Sequence, residues 1–422
     1  MGLAAAIVNI TIGGGIFRLP AEVSQTLGAA APLAYLVCAV AMGIIVLCIA
    51  DAGSRVALTG GPYAYIETAF GPFVGYLSGV VLWLLSTFAM SAVSTVFADN
   101  AGALLPMFAS TAGRTAFYVL LFGFFAAVNV RGVTQGARLN TIATVAKLLP
   151  LLLLAVGGWA GVHRENLVVT QWPDAGTLAR TAIILTFAFS GIESALVPSG
   201  EVKDPSRAVP RAILVAMGGI TVLYLLLQTV SRGVLGEGLS QATTAPLAAA
   251  AGASMGSWAR TVLLVGASVS MFGHAGGMML SQSRVLYALA RDGFLPRQVA
   301  AVHPVFRTPH VAIVLQAVAA TLLAATSTFA RLAILANISV LMLYGACCVA
   351  AWQLRRTGVQ QGGTPFRVPA PTVLPWLGLL VIGWMFTSIK LVEWLATLGA
   401  LSVASLLYFA TRARRTRQEA GS

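Results

Sequence analysis

The chain has 422 residues, of which 58% are hydrophobic and 9% charged, and its mean hydropathy is +0.86. A soluble domain carries about 25% charged residues, so this composition excludes soluble enzymes, disordered regulators and disulfide-stapled secreted scaffolds. The formal net charge of +13 would suggest nucleic acid in a soluble protein. In so apolar a chain it marks basic loops on the cytoplasmic face of a bilayer, and no nucleic-acid partner is expected.

A bilayer-spanning helix takes about 20 apolar residues. In chain order, apolar runs and polar breaks predict twelve spans, near 3–28, 31–53, 74–98, 114–130, 140–161, 177–199, 209–231, 257–285, 309–328, 332–354, 372–389 and 391–410. The runs do not alternate polar and apolar residues, as the strands of a membrane barrel would. The expected fold is an all-α polytopic membrane protein with one transmembrane domain over 1–410 and a short, basic, disordered tail from 411 to 422. The first run has no basic stretch before it and continues into glycines, so it reads as a retained helix and not a cleaved leader.

With the N-terminus in the cytoplasm, the greater part of the Lys and Arg residues falls on cytoplasmic loops, including Arg55, Arg131, Lys203, Arg291, Arg355 and Arg356. The opposite orientation would invert that bias. Both termini are therefore expected in the cytoplasm of a cell bounded by an inner membrane. Cys38, Cys48, Cys347 and Cys348 lie in apolar runs and read as small hydrophobes. No cluster has metal-ligand spacing and no nucleophile–base pair is visible, so neither a cofactor nor an enzyme activity is expected.

Two spans differ from the rest. The first contains Thr11-Ile12-Gly13-Gly14-Gly15-Ile16-Phe17-Arg18-Leu19-Pro20, and the sixth contains Phe187-Ala188-Phe189-Ser190-Gly191-Ile192-Glu193-Ser194. Each glycine in a helix interior costs about 1 kcal/mol relative to alanine, and both segments read as broken helices. Interrupted helices at corresponding places in two halves point to a transporter built from inverted repeats. Spans 1–5 (about 1–161) and 6–10 (about 177–354) would be the repeats, with two added helices at about 372–410. Unwound backbone in a membrane must line a cavity. There its amides suit a carboxylate and its carbonyls suit an ammonium, so two adjacent breaks can hold the backbone of an amino acid. Gly13, Gly14 and Gly15 would let a carboxylate approach closely. Lys147 in span 5 and Glu193 in span 6 are ionisable residues inside the membrane, which are functional candidates by default. Lys147 also reads as a lysine snorkelling from a helix end, and Glu193 as a carboxylate bonded to amides freed by the break. His274 in span 8 reads first as a structural histidine.

These segments together resemble the amino acid–polyamine–organocation superfamily of amino acid permeases. The likeness is carried by 13–20, by Asp51-Ala52-Gly53-Ser54-Arg55 with 60–65, and by Lys147 before Leu148-Leu149-Pro150. It continues through 187–193 with 201–207 and 210–212, and through 284–287 with 290–296. The resemblance implies a five-plus-five inverted repeat of twelve helices, with helices 1 and 6 broken, working by alternating access. It implies a substrate site at Thr11, Ile12, Gly13, Gly14, Gly15, Phe187, Phe189, Ser190 and Gly191. The carboxylate would meet the amides of Gly14 and Gly15, and the amine the carbonyls of Thr11, Phe187 and Ser190. Lys147 falls where many members place an amine in a sodium ion's position, which implies exchange or proton coupling. Residues 191–194 resemble the arginine/agmatine and polyamine antiporters, whose matching Glu is linked to pH response. That branch carries a Trp where this chain has Gly277-Met278, so neutral amino acids are favoured and cationic amino acids or polyamines are the alternative. The partners expected are an amino acid, protons and lipid, in a monomer or homodimer.

Overall fold

Each broken run is helical on both sides of its break. The computed structural model describes residues 3–56, 58, 61–132, 137–195, 205–291, 293–361 and 364–419. The motif positions Gly60, Glu201, Val202, Lys203, Asp204 and Asp292 lie outside the described residues. Helix α1 (Leu3–Thr11) stops before the three glycines. Gly13 is extended, a short 3-10 turn covers Gly14–Phe17, and α2 (Leu19–Leu27) follows. A tight turn at Gly28, with φ of 53°, joins it to α3 (Ala31–Arg55). Short α4 (Pro62–Phe70) precedes the long α5 (Pro72–Leu104), and α6 (Thr111–Val130) and α7 (Ala137–Gly157) come next.

The second broken run is α8 (Ala175–Phe189) and α9 (Ile192–Ala195). Asp174 starts α8 by accepting hydrogen bonds from the amides of Gly176 and Thr177 and from the Thr177 hydroxyl, as a helix N-cap does. The Thr177 hydroxyl first, and then the backbone amides, hold this carboxyl below the usual carboxylate range. Its contribution is therefore present above that range and lost as pH falls through the lowered value. After it come α10 (Pro205–Leu235), short α11 (Gly238–Gln241) and α12 (Pro246–Met255), and the long α13 (Ser257–Arg291). The chain ends with α14 (His310–Thr326), α15 (Phe329–Arg356), α16 (Leu374–Phe386) and α17 (Leu391–Glu419). The last helix continues through 411–419, where a disordered tail was expected.

Among the described residues there is no strand, and seven helical stretches are long and apolar enough to cross a membrane. Four shorter apolar stretches accompany them, at 147–161, 175–189, 310–326 and 374–386. The chain is thus a multi-pass helical membrane protein. Its most apolar windows differ sharply in burial: 78% in α15 and 67% in α5, against 11% in α17 and 22% in α6. Helices α5 and α15 therefore form the centre, with α3 and α13 packed against them and α10 packed on α3. The outward leucines and valines of α17, such as Leu395 and Leu406, suit a lipid surface, where their exposure carries no hydrophobic penalty.

One buried charge cluster ties the centre to a connecting loop. Asp51 accepts from Arg55 Nε at 3.0 Å and from Arg355 Nη2 at 2.7 Å, joining α3 to α15. The Ser54 hydroxyl donates to the Asp51 carbonyl and accepts from the Phe366 amide, and the Gln361 amide donates to the Arg55 carbonyl. Removing one partner of a buried ion pair leaves an uncompensated charge, which costs about 3–5 kcal/mol; Arg355, 26% exposed in its side chain, moderates that. Asp51→Ala is expected to lower the thermal unfolding midpoint of the detergent-purified protein by several degrees, with Asp51→Glu intermediate. An unchanged midpoint would show that the cluster does not hold these elements together.

Candidate functional site

The two breaks meet. Gly191 has φ of 117°, and a Cβ built on it would lie 3.1 Å from Thr11 Cα and 3.2 Å from the Ile10 carbonyl oxygen. Only glycine satisfies both demands there: the left-handed backbone and the close approach to the end of α1. Gly15 is similarly covered, since a Cβ there would fall 2.6 Å from Cδ1 of Phe187. The Phe187 ring stands edge-on to Phe329, with ring centres 5.6 Å apart. A Cβ on Gly14 would fall 2.5 Å from Cγ1 of Val93 on α5. The three-glycine turn is thus seated between Val93 on one side and Phe187 on the other.

Between the breaks lies a small cavity, with about 40 Å³ open to the centre of a water-sized sphere. One water needs about 10–15 Å³ on that measure, so the space between the breaks is narrow. Of the sequence-predicted residues, Thr11, Gly13, Gly14, Gly15, Phe187, Ser190, Gly191 and Glu193 line it. Ile12, Phe189 and Lys147 are not in its wall. Ile12 is buried elsewhere. Phe189 lies two residues beyond Phe187, hence on another helix face, and packs edge-on against Tyr224 with centres 5.4 Å apart. Lys147 is buried on α7, which packs along α13, and lies within electrostatic range of His274.

The sequence reading did not assign the remaining wall. Leu85, Ser86, Ala89 and Val93 come from α5, and His274 and Met278 from α13. The last two are four residues apart and so share a helix face, a signal that the glycines around them obscured.

The second break is satisfied by side chains. The Gly191 amide donates to both carboxylate oxygens of Glu193 at 3.0 Å, and the Tyr344 hydroxyl donates to Oε2 at 2.6 Å. The Tyr224 hydroxyl donates to the Ala188 carbonyl at 2.9 Å, and Asn337 donates to the Ile183 carbonyl. Ser190 Oγ donates to the Phe187 carbonyl at 3.0 Å. At the first break the Gly13 amide donates to the Thr11 carbonyl and the Arg18 amide to the Gly15 carbonyl. No described side chain hydrogen-bonds the 13–16 backbone. Just past it, Arg18 pairs with Glu22 at 3.1 Å and with Asp99 of α5 at 2.9 Å, and Asp99 also pairs with Arg114 of α6 at 2.7 Å. These pairs anchor α2 to its neighbours. Among the described residues no group of His, Cys, Asp and Glu is arranged to hold a metal ion.

A multi-pass helical protein with a central cavity framed by two interrupted helices is built as a carrier of small molecules. The chain belongs to the amino acid permease family, whose model matches residues 1–419. It is similar to the methylthioribose transporter of Bacillus subtilis (strain 168), with 27% identity over 95% of this chain and 90% of that one. It is also similar to the branched-chain amino acid permease BcaP of the same organism, with 26% identity over 92% and 88%. An uncharacterized transporter of Mycobacterium tuberculosis (strain ATCC 25618 / H37Rv) is 28% identical over 99% and 93%. The protein is accordingly a membrane transporter of small molecules and not an enzyme.

Two variants test how the breaks are held. Gly191→Ala adds positive-φ strain of about 1–3 kcal/mol and presses on Thr11, so it should lower the unfolding midpoint more than Gly43→Ala, where a Cβ meets nothing within 4 Å. Tyr344→Phe should cost about 1–3 kcal/mol by removing the Glu193 donor. Equal midpoints for all three variants and the wild type would refute the packing described.

Proposed function

We propose that the protein is a secondary active transporter of L-amino acids, with neutral ones favoured, and that the cavity between the two breaks is its substrate site. The observation that carries this reading is the seating of Gly191 on the end of α1, which brings two interrupted backbones to one small cavity. The substrate carboxylate would meet the amides of Gly14 and Gly15, which no described side chain engages. Its amine would meet the carbonyls of Thr11, Phe187 and Ser190, each of which keeps a lone pair for it. Phe187, lying over Gly15, would close the site.

Transport would proceed by alternating access in a fold of twelve spans and two inverted repeats. The repeat is supported by a shared pattern: in each half a broken first helix is followed, before the long third one, by short helices, α4 before α5 and α11–α12 before α13. Both termini would face the cytoplasm at an inner membrane, in a monomer or homodimer. Lys147 favours exchange or proton coupling over sodium coupling, by the family resemblance.

Neutral substrates are supported by the state of Glu193, the one carboxylate in the wall among the described residues. It already accepts from Gly191 and Tyr344, which leaves it poorly placed to hold a cationic side chain, the alternative reading. The similarity to a branched-chain amino acid permease points the same way. The methylthioribose transporter favours a second reading, a neutral polyhydroxy solute.

The test is uptake into proteoliposomes of labelled amino acids, polyamines and methylthioribose, with and without the compound preloaded and with a pH gradient. Saturable uptake of neutral amino acids is expected; uptake of polyamines or methylthioribose alone would overturn the reading. Lys147→Ala should reduce transport at least about tenfold without preventing membrane insertion, and wild-type rates would remove Lys147 from coupling. If Glu193 exchanges a proton, Glu193→Gln should flatten the pH dependence of transport. An unchanged profile would leave Glu193 as the clasp of the second break.

A further inference from the structure

The cavity wall contains polar groups that the protein itself leaves without partners. Nε2 of His274 is buried and has no hydrogen-bond partner among the described residues, and the same holds for Oγ1 of Thr11. Both residues line the cavity, as does the buried hydroxyl residue Ser86. A buried polar atom left without a partner costs about 1–3 kcal/mol, and buried polar atoms are rarely left so. His274 stands on α13, which packs against the Gly14–Phe17 turn. Its neighbour on the same face, Met278, also lines the cavity, while Phe272 turns away to pack against Phe125, with centres 4.7 Å apart.

We propose that His274 reads the substrate's side chain and selects a hydroxyl on it, so that the preferred solutes are small hydroxylated neutral amino acids. The inference rests on the cavity being an amino acid site. A hydroxyl both donates and accepts, so it satisfies the imidazole nitrogen in either tautomer. Among the described residues no Lys or Arg lines the cavity to balance an anionic side chain. Its one carboxylate is engaged by Gly191 and Tyr344. Met278, Leu85 and Ala89 supply apolar walls around the polar contact.

Threonine and valine are close to isosteric and differ by a hydroxyl in place of a methyl, so they isolate the contact. A site built to bond a hydroxyl discriminates against an analogue that leaves its polar group unpaired. In proteoliposomes of the full chain, wild type should transport threonine with a kcat/KM about tenfold above that of valine. His274→Leu should bring that ratio to one or below, and His274→Gln, which keeps a polar group, should hold a preference for threonine. The ratio is internal to each preparation, so reduced folding of a variant does not change it. If His274→Leu yields no transport at all, His274→Gln carries the test alone, and a ratio of one there would refute the proposal. A wild-type preference for valine, or an unchanged ratio in His274→Leu, would overturn the role of His274 and leave the amino acid site standing. Wild type that transports no amino acid would overturn both.

Discussion

Every peptide group within a bilayer must find a partner inside the protein, and this constraint governs how the molecule can interrupt two of its helices. At the second break the partners come from other elements. Glu193 receives the Gly191 amide, Tyr344 steadies Glu193, Tyr224 caps the Ala188 carbonyl at the end of α8, and Asn337 bonds the Ile183 carbonyl further back along it. Among the described residues the first break shows no such set. Its glycines are supported by two backbone hydrogen bonds and by packing of Gly14 against Val93 and Gly15 against Phe187, while Gly191 seats on the end of α1 just before them. The two breaks are thus held differently: one is braced by side chains, the other by its own backbone and by packing.

The surrounding helices make that arrangement rigid. Tyr344 and Asn337 belong to α15, the most buried long helix, and Val93 belongs to α5, which packs along it. The Asp51 cluster fixes α15 to α3, and the Arg18–Asp99–Arg114 chain fixes α2 to α5 and α6. The lipid-facing α17 and α6 contribute little to this centre.

Much of this was legible in the sequence because breaks, glycines and isolated charges are local signals. The three-glycine turn, the Ser190–Gly191 interruption and the buried Glu193 all stand where the pattern placed them. The partners of the breaks were not legible. Tyr344, Tyr224 and Asn337 reach them from helices far away in sequence, and their apolar surroundings look like any other span. Phe189 shows a different limit. It shares its composition with Phe187, but helical geometry turns it away from the cavity and onto Tyr224. The wall residues Ser86, Val93, His274 and Met278 depend on the rotation of two long helices, which a single sequence fixes only once the neighbours are known. The continuation of α17 through 411–419 went against a composition that reads as disordered.

The central claim is that the glycine turn between Val93 and Phe187 binds what the protein carries. Counterflow of a transported amino acid into proteoliposomes, compared between Gly15→Ala and Gly43→Ala, tests it most directly. The Gly15 methyl would enter the space of the Phe187 ring, whereas the Gly43 methyl meets open space. The account predicts at least about a tenfold loss of counterflow for Gly15→Ala, through a raised KM, with Gly43→Ala close to wild type. Wild-type counterflow in Gly15→Ala would contradict it, because a turn that tolerates that methyl is not in close contact with the substrate.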